Sequence, residues 1–297
     1  MQEHIQKQKA ILVVSFGTSH NDTRAVTIDA IERDIQAAFP EYRIYRAWTS
    51  KMILAKLLRR DGEKIPTVRE AMEQMREDGI AHVVVQPTHV INGVENDLMK
   101  EDVLAYRESF ASISFGDPLL TSGTDTEAVI QAVAEEFHDL KREEALVLMG
   151  HGTTHFANSI YAALDYQFKD FGYPNIFLGT VEAYPSMMSL QRLLREYSPR
   201  KVILAPFMIV AGDHAKHDMA GDDEESWYSQ FRSAGYEVKC VLKGLGEYPG
   251  IRNLFISHVT DACQREHAVQ ADGLLSEEGV LSGEGTGSGC ETGGFML

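Results

Sequence analysis

Two hydrophobic rhythms alternate along this chain. Ile11 to Phe16 is a nearly continuous apolar run that stops at Gly17-Thr18, as in a short parallel strand buried on both faces. Ile28, Ile31 and Ile35 then recur on one helical face, which ends before Pro40. The pattern next predicts a strand over Arg43 to Trp48, a helix over Val68 to Glu77 closed by Gly79, a strand from His82 to Gln86 ended by Pro87, and a fourth strand over Ser112 to Phe115. Thr124 with Glu127 has capping-box spacing and opens a helix through Val129, Val133, Phe137 and Leu140. The alternation restarts at Leu146, passes through an apolar strand from Phe177 to Ala183, and includes the run Val202 to Gly212, broken by Pro206. Strands alternating with helices predict an α/β fold with parallel sheets.

The restart is an internal repeat. Val13-Val14-Ser15-Phe16-Gly17-Thr18 aligns with Leu148-Met149-Gly150-His151-Gly152-Thr153 at an offset of 135. Arg46-Ala47-Trp48-Thr49-Ser50 aligns with Glu182-Ala183-Tyr184-Pro185-Ser186 at 136, with Met52 on Met188 and Leu57-Leu58 on Leu193-Leu194. Pro87 through Gly93 aligns with Pro206 through Gly212 at 119, the shift arising from an extra segment around Asp61 to Gln74 in the first half. The expected architecture is therefore two similar Rossmann-like α/β halves whose parallel sheets face a central cleft. Their boundaries are expected at 1–123 and 124–268, with the last helix able to pack back on the first half. Residues 269–297 read as a Gly- and Glu-rich disordered tail.

In open α/β sheets, ligands bind beyond the carboxyl ends of the strands. The second half places His151 after its first strand, Glu182 at the end of its second and His214 after its third, where the first half has Phe16, Arg46 and Glu95. Two imidazoles and a carboxylate suit a first-row divalent metal with positions left open for a substrate, and the same groups can act as bases. An imidazole between two glycines has no core to fill, and a carboxylate in an apolar strand is costly unless it is used. His214 shares its loop with His217, where a helix cap or a surface role competes. His155 reads as a helical neighbour of His151, and a satisfied loop histidine is the ordinary role for His89. His4, His138, His258 and His267 read as surface or helix residues.

Charge narrows the partners. The chain has 28 Lys+Arg against 44 Asp+Glu, a formal charge of −16, which excludes the basic footprint of nucleic-acid or anionic-membrane binding. No apolar run approaches the ~18 residues that suggest a membrane span. The repeated Gly-X-Gly around Gly283 to Gly289 follows no strand and there is no Gly-Lys-Ser/Thr element, so neither nucleotide binding nor an ATP-driven mechanism is expected. Glu3 and a short apolar stretch before Gly17 do not form a secretory signal. Three scattered cysteines, Cys240, Cys263 and Cys290, make neither a disulfide framework nor a zinc site, and a cytoplasmic setting is expected.

Ser15-Phe16-Gly17-Thr18-Ser19, Thr88-His89-Val90-Ile91-Asn92-Gly93, Gly150-His151-Gly152, Val181-Glu182-Ala183-Tyr184-Pro185 and Val210-Ala211-Gly212-Asp213-His214-Ala215 occur together and in order. In this the chain resembles the class II chelatases with a ferrochelatase-like fold, and among them the sirohydrochlorin cobaltochelatases of the anaerobic pathway, over about residues 10 to 265. The resemblance implies ATP-independent insertion of Co2+ into sirohydrochlorin in cobalamin biosynthesis, with Fe2+ and sirohaem as the related alternative. It carries His151, Glu182 and His214 over as the metal-binding and catalytic set. The metal is then a substrate, and no tightly bound cofactor is expected. An apolar wall of Phe16, Tyr184 and Met208 would hold the macrocycle. Its carboxylates would meet Arg46, Lys51, Lys56, Arg59 and Arg60, for which a solvated helix face is the competing reading, and the backbone N–H groups of Gly17, Thr18 and Ser19. Ser15, His89 and Glu95 complete the substrate-facing set, and a homo-oligomer stays open. Two other classes fit the same residues: a two-lobed tetrapyrrole or metal carrier without turnover, and a metal-dependent hydrolase.

Overall fold

In the computed structural model residues 9–278 are described, the side chains of 266–278 excepted. The first half contains β1 (Lys9–Ser15), α1 (Asn21–Val26), α2 (Ile28–Ala38), β2 (Arg43–Trp48), α3 (Lys51–Asp61), α4 (Val68–Glu77), β3 (His82–Pro87), α5 (Val94–Leu104) and β4 (Ser112–Phe115). The second contains α6 (Gly123–Glu136), β5 (Glu144–Gly150), α7 (Ser159–Asp170), β6 (Ile176–Thr180), α8 (Met187–Tyr197), β7 (Lys201–Pro206), α9 (Trp227–Ser233), β8 (Glu237–Cys240) and α10 (Pro249–Glu278). The strand orders are the same in the two halves, β2-β1-β3-β4 and β6-β5-β7-β8, and every pairing is parallel. The first and third duplicated blocks thus fall on equivalent strands, whereas the second covers the end of β2 in the first half and the loop after β6 in the second. The extra segment of the first half supplies α4, which has no counterpart between β6 and β7.

The central strands β1 and β5 are buried on both faces, which is why they read as unbroken apolar runs. Their alternate residues enter different cores. Leu12 and Val14 pack outward against Met72, Met75 and Met99. Ile11 and Val13 join Leu146, Leu148 and Phe207 of the other half in one core that spans both sheets. The long helix α10 closes this core with Phe255, Val259 and Ala262. It lies against α2, β3, β4 and α6, so this last described helix packs back on the first half. Arg252 pairs with Asp34 at 2.5 Å, and the buried His258 ring bonds the Asp117 carbonyl at 2.8 Å and the Asp125 carboxylate at 3.0 Å. His258 is therefore an anchor inside the fold and not a surface histidine. A third contact joins the halves: Val210 packs on a cluster of Ile28, Trp48, Leu57 and Ile65.

Three elements differ from the sequence reading. The box that caps α6 is Ser122 with Asp125 in place of Thr124 with Glu127: the Asp125 N–H donates to Ser122 Oγ, and the Ser122 N–H donates back to Asp125 Oδ2 at 2.8 Å. Asp125 is also held by His258, a long-range partner that local spacing cannot reveal. Strand β6 stops at Thr180, whose N–H donates to the Pro185 carbonyl and turns the chain, so Glu182 stands outside the sheet and not within an apolar strand. Finally, α10 runs to Glu278, into the segment expected as a tail, and residues 279–297 lie outside the described residues.

Candidate metal centre

The loops after β5, β6 and β7 converge because parallel pairing continues one step past the strands. The Val181 N–H donates to the Gly150 carbonyl and the Glu182 N–H to the His151 carbonyl, both at 3.0 Å. Gly152 makes the approach possible. Its φ is +87°, and a Cβ there would lie 2.9 Å from Thr180 Cβ and 3.0 Å from the Ala183 nitrogen. His214 enters from the loop after β7, at the start of a single π-helical turn, Ala215–Met219.

One ligand atom from each of His151, Glu182 and His214 lies within 4.8 Å of the others. The two rings stand edge to face with centroids 4.7 Å apart, and His151 Nε2 is 3.8 Å from Glu182 Oε1. In each ring Nδ1 faces an acceptor: the Gly152 carbonyl at 2.7 Å for His151, and Asp218 Oδ2 at 2.5 Å for His214. A carbonyl or carboxylate acceptor places the proton on Nδ1 and leaves the Nε2 lone pair free, the arrangement by which an outer carboxylate or carbonyl orients a metal-binding imidazole. Ligands at about 2.1 Å from one ion and at a tetrahedral angle stand about 3.4 Å apart, so the His151–Glu182 pair at 3.8 Å must close by about 0.4 Å and no pair of the set, all within 4.8 Å, by more than about 1.4 Å. All three side chains are about half exposed, which leaves the open side accessible to a substrate.

The other residues singled out from sequence separate into two groups. Phe16 (45% exposed) and Tyr184 (61%) stand at the carboxyl ends of the two sheets, Met208 is partly buried against the second sheet's core, and Glu95 lies half-exposed in the first turn of α5. The rest are built into the fold. Ser15 is buried and its hydroxyl accepts from Thr88 Oγ1 at 2.8 Å. Thr18 and Ser19 are also buried, and the helix that follows Gly17 has six residues, too short for the anion-binding end expected there. His89 is buried, and that burial drives its pKa down to about 4, so it is a neutral interior ring and does not line the open cleft. Arg46 is held by Asp29 and Glu32 of α2, with Nε 2.8 Å from Glu32 Oε1, and is not free for a substrate carboxylate. Burial raises the Glu32 carboxyl, which makes Arg46 its necessary partner.

Of the basic run, Lys51 and Arg59 are exposed, and Arg60 pairs with Asp61 and donates to the Ser19 carbonyl. Lys56 reaches across to the second half, 3.9 Å from Asp213, the neighbour of His214. His155 caps a short 3-10 turn, Phe156–Asn158, and is not itself helical. Asp218 was not legible as a site residue, although its i+4 spacing from His214 on one helical face was available.

Two like parallel sheets, with two lone-pair imidazoles and a carboxylate beyond the carboxyl ends of the second, define a two-lobed α/β protein with one candidate metal centre among the described residues, carried by its second half. Residues 9–264 match the cobalt chelatase (CbiK) family, and the chain belongs to it. It is 41% identical over 255 residues to the sirohydrochlorin cobaltochelatase of Salmonella typhimurium, covering 86% of this chain and 96% of that one. It is 32% identical over 265 residues to sirohydrochlorin cobaltochelatase CbiKC of Nitratidesulfovibrio vulgaris, covering 88% and 93%. The fold is similar to that of SirB from Bacillus subtilis with Fe3+, with a TM-score of 0.62 at 16% identity over 88% of this chain and 98% of that one. Among the described residues no helix is long and apolar enough to cross a membrane.

Proposed function

We propose that this chain inserts Co2+ into sirohydrochlorin without ATP, in a cytoplasmic step of cobalamin biosynthesis, with His151, Glu182 and His214 holding the incoming ion. The halves 1–123 and 124–268 supply the two walls of the slot. The observation that carries the reading is the set of three donors within 4.8 Å, both histidines with Nε2 free, in a chain of the cobalt chelatase family.

Insertion exchanges one divalent ion for two pyrrole N–H protons. The lone pair that holds the ion on His151 or His214 is the same lone pair that can accept a proton. As the ion passes to a pyrrole nitrogen, the freed Nε2 becomes a base at the place where the N–H must leave. Asp218 then faces the imidazolium formed at His214, and the Gly152 carbonyl faces that at His151. Glu182 offsets the ion's charge and can pass a proton to solvent. Phe16 and Tyr184 offer exposed apolar surface for the macrocycle, and we assign its carboxylates to Lys51 and Lys56 of α3, the first exposed and the second within 3.9 Å of Asp213.

The test follows the absorption spectrum of sirohydrochlorin mixed with Co2+ and the purified protein. Metal insertion faster than in the protein-free mixture is expected. A rate equal to the metal-only control overturns the reading, and tetrapyrrole binding without turnover would leave a carrier in its place.

A further inference from the structure

The two halves are joined by bridges that occupy equivalent places in the repeat. After β1, Gly17 (φ +99°) turns the chain and the His20 N–H donates to Thr18 Oγ1 at 3.2 Å. After β5, Gly152 (φ +87°) turns it in the same way and the His155 N–H donates to Thr153 Oγ1 at 3.1 Å. The offset of 135 that aligns these loops places His20 on His155. In each ring Nδ1 is occupied as an acceptor, from Lys216 Nζ at 3.1 Å for His20 and from the Ala157 N–H at 3.2 Å for His155. The proton therefore sits on Nε2 in both.

Each Nε2 faces a carboxylate of the opposite half. His20 Nε2 is 2.8 Å from Asp213 Oδ1, and His155 Nε2 is 3.5 Å from Asp97 Oδ2. These targets are related too. At the offset of 119 that pairs Glu95 with His214, Asp97 falls on Lys216, the residue that holds His20. Both bridges thus end on the segment that follows the third strand of the other half. One such segment carries His214 and the other Glu95. Neither histidine is idle on the surface, their side chains being 23% and 16% exposed.

We propose that His20 and His155 are a duplicated pair of positioning residues, which act through Asp213 and Asp97 to clamp the segments bearing His214 and Glu95 against the opposite half. This rests on the chelatase reading for its consequence in turnover, but not for the clamp itself.

The variants are His20→Ala, His155→Ala and the corresponding glutamines, which keep one acceptor and one N–H donor at similar reach. Three quantities are measured: kcat and KM with Co2+ and sirohydrochlorin, the d–d absorption band of Co2+ bound to the protein alone, and Tm. Loss of an outer partner of this kind is expected to lower kcat about tenfold in each alanine variant. The Co2+ band should shift in His20→Ala, whose partner adjoins His214, and stay in place in His155→Ala. Glutamine should restore both properties, with Tm unchanged throughout. Wild-type kcat in both alanine variants, or glutamine variants as impaired as alanine, would overturn the clamp. If the wild-type chain does not turn over, the chelatase reading fails, and the Co2+ band still decides the clamp: an unshifted band in His20→Ala rejects it.

Discussion

Replacing Gly152 with alanine should damage stability and metal binding together, because one backbone position carries both. An L side chain at φ +87° costs about 1–2 kcal/mol. The added Cβ would stand 2.9 Å from Thr180 Cβ and 3.0 Å from the Ala183 nitrogen, so the loop after β6 must retreat. Forced overpacking of this kind typically costs about 1–3 kcal/mol, which brings the total to roughly 2–5 kcal/mol. At about 2–4 °C per kcal/mol for a chain of this size class, Tm should fall by about 4–20 °C. The same retreat lengthens the Glu182 N–H to His151 carbonyl bond and draws the Glu182 carboxylate away from His151 Nε2. Gly62→Ala is the control. Gly62 also has a positive φ, +68°, but nothing lies within 4 Å of the point its methyl would occupy, so only the backbone cost of about 1–2 kcal/mol applies. Scanning calorimetry of both variants, with Co2+ titrated by its d–d absorption, separates the two contributions. If Gly152→Ala melts with Gly62→Ala and binds Co2+ like the wild type, the close approach does not set the site's geometry.

Arg46→Ala should behave as a core lesion and not as a substrate lesion. It strands the largely buried Glu32 carboxylate, a loss smaller than the roughly 3–5 kcal/mol of a fully buried pair because the Arg46 side chain is 24% exposed, while KM for the tetrapyrrole stays at its wild-type value; a raised KM with unchanged Tm would return Arg46 to the substrate site. His89 sets an acid-side dependence. Its folded pKa of about 4 lies below the ordinary value of 6.5, so the unfolded chain binds more protons between these limits and stability is lost as pH falls through that window, by up to about 3 kcal/mol. Denaturant midpoints between pH 6.5 and 5 should show the slope in the wild type and a shallower one in His89→Gln; equal slopes would refute the assignment.

The donor set was legible because it depends on strand order, which a period of alternating elements and a repeat reveal. His151, Glu182 and His214 follow three consecutive strands of one sheet, so their convergence is a property of the topology. Arg46 was misread for the opposite reason. Its strand position points to a ligand-binding end, but its partners Asp29 and Glu32 lie on a neighbouring helix, and only packing brings them within reach. Glu182 was placed in a strand because Val181 and Ala183 continue the apolar run; the bond from Thr180 to Pro185 that ends the strand leaves no trace in hydropathy. Ser15 and Thr88 look like ligand-binding hydroxyls until each is seen to satisfy the other. His20 and His155 lie two residues beyond the aligned blocks that end at Thr18 and Thr153, and their importance lies in what each meets across the gap.

The core that spans both sheets has a mechanical consequence. Ile11, Leu148, Phe207 and Phe255 belong to one packed interior, and Val210 of one half sits on Trp48 and Leu57 of the other. Two-lobed proteins that swallow a ligand by swinging about a hinge keep their lobes' interiors separate. Here a wide swing would expose apolar surface from both halves at once. The distance between the two halves at the mouth is accordingly set by their shared interior, and a ligand is met by loops and side chains that move on a frame that does not swing.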